Sequence, residues 1–87
     1  MTRMDKIRKL LAVLQPGQLE IVDESHLHAG HAGAQGGGGH YRLKIVSGEF
    51  AGKSTVARHR MIYSALGDMM KHEIHALNIT ASTPDNQ

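Results

Sequence analysis

The sequence predicts a single α/β domain of the α+β kind, in the order helix, strand, strand, helix, strand, with both helices packed on one face of a three-stranded sheet. Three observations lead there. Eighty-seven residues, 40% of them hydrophobic, suffice for one core and leave no length for a second domain. Apolar residues recur every three or four positions near the start and again after residue 54, as on amphipathic helices. They recur every second position in the remaining ordered-looking stretches, as on half-buried strands.

Met4, Ile7, Leu10, Leu11 and Leu14 form the first helical stripe. Thr2 stands where a cap belongs, Asp5 three positions on completes a capping box, and Pro16-Gly17 stops the helix. In QLEIVDE, Leu19 and Ile21 alternate with Glu20 and Val22, which reads as a strand. Residues 25–39 hold six of the ten glycines and three histidines, a composition expected of a long mobile loop. HYRLKIV then alternates cleanly, and the two strands are expected to pair antiparallel. Ser54 is placed to cap a second helix reaching about Lys71. On it Val56, His59, Ile62, Tyr63, Leu66, Met69 and Met70 fall in a band about 140° wide. His75, Leu77, Ile79 and Ala81 then share one face of a last strand, and residues 84–87 are a polar tail.

Composition narrows the function. With no cysteine, neither a disulfide framework nor a thiolate metal site can come from this chain alone. No apolar run is long enough to span a membrane, and the basic first residues lack a small-residue cleavage site, so the expected location is the cytoplasm. A net charge of +2 is too mild to indicate nucleic-acid binding by itself. No pair of carboxylates and no nucleophile–His–Asp arrangement stands out, so the chain is not expected to be an enzyme. Seven histidines are the anomaly.

Two motifs carry less than they promise. Residues 47–54, SGEFAGKS, approximate a phosphate-binding loop, but Ser47 replaces the first glycine and a turn with a helix cap explains the segment better. Gly30-His31-Ala32-Gly33 matches the G-x-x-G backbone clamp but lies between strands rather than helices. His59, central in the apolar band, reads as a packing residue. Arg58 and Arg60 beside it are a solvated face by default, with recognition of an acidic partner or phosphate as the alternative role. Neutral imidazole is a good ligand for borderline metals, and His26, His28, His31 and His40 surround or occupy the loop. His75, at the start of a strand, is the one on a rigid element. Two imidazoles leave a tetrahedral site half built, so further ligands would come from a partner or water.

The blocks Asp23-Glu24-Ser25-His26-Leu27-His28, His40-Tyr41-Arg42, Ile45-Val46-Ser47, Phe50-Ala51-Gly52-Lys53-Ser54, Arg58-His59-Arg60, His75-Ala76-Leu77 and Thr83-Pro84 together resemble the BolA-like family. The resemblance runs in order over nearly the whole of residues 1–87. It implies a KH-like fold without the G-x-x-G clamp. It also implies a heterodimer with a monothiol glutaredoxin that shares a bridging 2Fe–2S cluster, the thiolates coming from the glutaredoxin and glutathione. Carried onto this sequence, the cluster ligands are His75 and His28, with His31 as a rival in the loop. Mixed thiolate and imidazole ligation would raise the cluster potential and make it pH-sensitive. Alone, the chain is expected to be a colourless monomer. The family is also described as transcriptional regulators, for which Lys53, Arg58 and Arg60 are the implied DNA-facing residues.

Overall fold

The structure is a computed structural model and describes residues 2–25 and 39–86. Helix α1 spans Arg3–Leu11, β1 Gln18–Asp23, β2 Gly39–Val46, α2 Thr55–Leu66, α3 Met69–His72 and β3 Ile74–Ser82. The predicted order holds, with the second helix divided in two.

Local chemistry sets each boundary. The Thr2 hydroxyl accepts the Asp5 N–H at 3.1 Å while the Asp5 carboxylate accepts the Thr2 N–H at 3.2 Å, the reciprocal capping box the sequence suggests. α1 tightens into a 3₁₀ turn over Ala12–Leu14 and ends at Gln15, whose φ of 50° is left-handed. Ser54 caps α2 by accepting the Ala57 N–H at 3.1 Å. The expected continuation to Lys71 fails at Gly67, where φ is +56°, a value that terminates a helix and favours glycine. Residues 47–54 form a 3₁₀ turn, Gly48–Phe50, and then the α2 cap, as the turn reading requires.

The sheet order is β1-β2-β3. β1 and β2 are antiparallel, with Leu19 opposite Ile45 and Ile21 opposite Leu43. β2 and β3 are parallel, with Tyr41 beside Leu77, Leu43 beside Ile79 and Ile45 beside Ala81. These residues line one face and meet Ile7, Leu11, Ile62 and Leu66 in a single core. Leu43, Ile45 and Phe50 are fully buried, each worth about 1.5–3 kcal/mol of transfer free energy. The other face, with Glu20, Val22, Arg42 and Thr80, is open.

The buried face of α2 differs from the predicted band. Ile62 and Leu66 are buried and Met61 and Ala65 pack against the core, whereas Val56 is 60% and Tyr63 40% exposed. His59 consequently lies on the flank, half-buried, its ring meeting Tyr63 edge-on at 6.4 Å between centroids.

Candidate functional site

The N-terminal ends of the parallel strands β2 and β3 lie side by side, and each begins with a histidine in its first two positions, His40 and His75. The pairing contains an irregularity there: Gly39 faces Ile74 and His40 faces Ala76, so His75 is an extra residue in β3. Ile74 is 3% exposed and turned into the core, as is Leu77 in part. Strict alternation would have put His75 in the inward row with Leu77. The bulge instead releases it: His75 is exposed, and its ring stands 5.0 Å from that of His40, tilted by 42°.

Gly39 lies on β2 opposite the bulge. A Cβ there would come within 2.5 Å of the Tyr41 ring, which folds back over the glycine. The Gly39 N–H also donates to the Glu73 carbonyl at 3.0 Å, joining the starts of the two strands. Around this corner β1 is tied down. The Ser25 hydroxyl accepts the His40 N–H at 3.0 Å, the Asp23 carboxylate accepts the Ser25 N–H at 2.9 Å, and the Glu24 N–H donates to the His40 carbonyl at 2.7 Å. The Glu24 carboxylate, 17% exposed, pairs with the Arg42 guanidinium at 2.6 Å. A cleft lined by Glu24, His40, His59 and residues Ala76 to Ile79 of β3 opens beside the histidine pair.

Of the sequence-predicted ligands, His75 is therefore exposed at the sheet end, and His28 and His31 lie outside the described residues, as does the G-x-x-G segment. His40 was grouped only with the loop histidines, yet it is the one that meets His75. Nothing in the hydrophobic pattern marks the bulge that brings the two together, since the extra residue lies in β3 and is His75 itself. Among the described residues no group of three His, Cys, Asp or Glu side chains is arranged to hold a metal.

The basic trio does not form one patch. Arg58 donates from Nε to the Lys53 carbonyl at 3.0 Å and from Nη1 to the Ala81 carbonyl at 3.1 Å, so its guanidinium ties the turn before α2 to the end of β3. Arg60 is exposed beside Val13 and Met61, about 200° around the helix from Arg58.

Residues 10–86 match the family described as BolA-like protein. The chain belongs to the BolA-like family. It is 49% identical over 81 residues to SufE-like protein 1, chloroplastic/mitochondrial, of Arabidopsis thaliana, covering 87% of this chain and 22% of that protein. It is 41% identical over 75 residues to the DNA-binding transcriptional regulator BolA of Escherichia coli strain K12, covering 86% of this chain and 69% of that one. The solved BolA domain of SufE1 from Arabidopsis thaliana superposes with a TM-score of 0.86 at 45% identity, covering 100% of this chain and 98% of the domain. This BolA-like chain thus corresponds to a fifth of one relative's length and about two thirds of another's. No helix among the described residues is long and apolar enough to cross a membrane, and one of these relatives carries an organelle name where the sequence reading expected the cytoplasm.

Proposed function

We propose that this BolA-like chain is an iron–sulfur adaptor that binds a monothiol glutaredoxin and contributes imidazoles, His75 with His28, to a shared 2Fe–2S cluster. The observation that carries the reading is the bulge that turns His75 out of the core row and into solvent at one end of the sheet. A histidine kept for packing would stay inward with Leu77. An exposed imidazole at a strand start is a donor that a second protein can reach, and its borderline softness suits iron beside thiolates. The cluster would supply the redox and transfer chemistry; the chain supplies two nitrogen donors and a docking face.

Anaerobic co-purification with a monothiol glutaredoxin and glutathione, followed by visible absorption and circular dichroism, tests this. His75→Ala and His28→Ala should each change the spectrum of the complex while leaving the melting temperature of the isolated chain within about 2 °C, as for exposed positions in a small domain. If His31→Ala changes the spectrum and His28→Ala does not, His31 is the loop ligand. An unchanged spectrum in His75→Ala overturns the reading.

Direct DNA binding is the second reading, favoured by the name of the Escherichia coli relative. Because two backbone carbonyls engage Arg58 and Arg60 lies about 200° around α2 from it, Lys53 is the cation of the proposed surface left to contact phosphate. Lys53→Glu should weaken specific binding, and wild-type binding should weaken steeply with added salt, as phosphate contacts demand. A wild-type chain with no sequence preference near physiological salt removes this reading.

A further inference from the structure

We propose that His40 and His75 form a two-imidazole site for a divalent, imidazole-seeking transition ion such as zinc on the isolated chain. The first argument is metrical. Zinc–nitrogen bonds of about 2.0–2.1 Å, a further ~1.2 Å from nitrogen to ring centre and a tetrahedral angle place two coordinating rings roughly 5 Å apart, centre to centre. The His40 and His75 rings are 5.0 Å apart.

The second argument is how the rings are held. His40 is half-buried, with Nε2 shielded from water and the backbone on both sides of the ring fixed by Ser25 and Glu24. His75 is exposed and adjusts. One fixed and one adaptable ligand form a chelate with little reorganisation. Both rings sit on paired parallel strands, so their separation is set by the sheet and its bulge.

The third argument fixes the stoichiometry. The nearby Glu24 carboxylate is committed to Arg42, and no third ligating side chain joins the pair among the described residues. The remaining positions on the ion fall to water. Such a site is labile, and it draws on His75. An ion held there would withhold His75 from any other partner that uses the same imidazole.

The test is calorimetric titration of Zn²⁺ into the full chain, with no glutaredoxin and no glutathione present, so its outcome is independent of the cluster reading. Losing a ligand should cost at least as much as losing a partner behind one, so His75→Ala and His40→Asn should each weaken binding roughly tenfold or more. The triple variant His26→Ala, His28→Ala, His31→Ala should retain the site. Because His40→Asn touches a half-buried position, a second readout uses the exposed residue alone. Cu²⁺ electron paramagnetic resonance should show two coordinating ring nitrogens in the wild type and one in His75→Ala. Undiminished Zn²⁺ affinity in either single variant, loss of the site in the triple variant, or an unchanged Cu²⁺ spectrum in His75→Ala overturns the proposal.

Discussion

Gly39 and Gly67 both resist a larger side chain, for opposite reasons. At Gly39 the obstacle is space: a methyl group would sit 2.5 Å from the Tyr41 ring, and Tyr41 is 4% exposed with nowhere to go. At Gly67 there is room, with nothing within 4 Å, and the obstacle is the backbone itself at a φ of +56°. Overpacking and backbone strain each cost about 1–3 kcal/mol. Either Ala substitution should therefore lower the melting temperature by something like 4–8 °C for each kcal/mol lost, given a domain of this size. The two are separable by the imidazole proton and nitrogen resonances. Gly39→Ala should shift those of His40 and His75, because Gly39 precedes His40 and pairs with the start of β3, where His75 bulges out. Gly67→Ala should leave them in place. Equal shifts in both variants would mean that Gly39 has no particular part in positioning the pair.

Among the elements, α1 carries a titratable cap. Hydrogen bonds from the Thr2 backbone N–H and then its hydroxyl hold the Asp5 carboxyl below its ordinary value of 3.8. A carboxyl whose folded pKa is depressed stabilises the fold above its unfolded pKa and loses that contribution as pH falls through the lower folded value. Asp5→Asn should accordingly melt below the wild type at neutral pH, and the two curves should converge as pH drops below about 3.8. Parallel curves down to the acid limit would show that the cap owes nothing to the charge. This element, β1 and β2 were readable in the sequence because their chemistry is local: a capping pair three residues apart, and alternation with no exceptions from Tyr41 to Ile45. α2 was readable as a helix but not in its orientation. Val56 and Tyr63 carry more apolar side-chain surface than Ala65, yet Ala65 packs on the core while they stay exposed. At β3 the two-residue period predicted Leu77, Ile79 and Ala81 correctly and misplaced His75, since a bulge adds a residue without leaving a mark in the hydrophobic pattern. The site was legible only in part for that reason. His75 was visible as a candidate, while His40 needed the register of two strands to become its neighbour.

Considered whole, the molecule gathers its chemistry at one end of the sheet. The parallel relation of β2 and β3 requires a crossover, and α2 with α3 supply it, returning the chain to the end where β2 begins. Lys6 of α1 closes the same end by pairing with Glu73 at 3.0 Å, just before β3. The opposite end is held by different means: the Ser47 N–H donates to the Ser82 carbonyl at 2.9 Å, the buried Ser47 hydroxyl to the Leu14 carbonyl, and Arg58 to Ala81. One end of the domain is thus locked by backbone carbonyls, and the other presents imidazoles and a cleft. Changes to the contacts of the locked end should lower the melting temperature, and His75→Ala at the other end should act on binding, a division that the two readouts on His75→Ala examine.

The crossover also has a kinetic meaning. An antiparallel neighbour can be reached by a chain doubling back, but β3 aligns beside β2 across the whole connection through α2 and α3, so this pairing bears a long-range closure cost. His40 and His75 are brought together by that pairing and by nothing else in the fold. A chain with β1, β2 and its helices formed but β3 unaligned would hold all seven histidines and lack the pair. The 5.0 Å separation of the two rings is consequently a signature of the β2–β3 pairing itself, inherited from no single part of the chain.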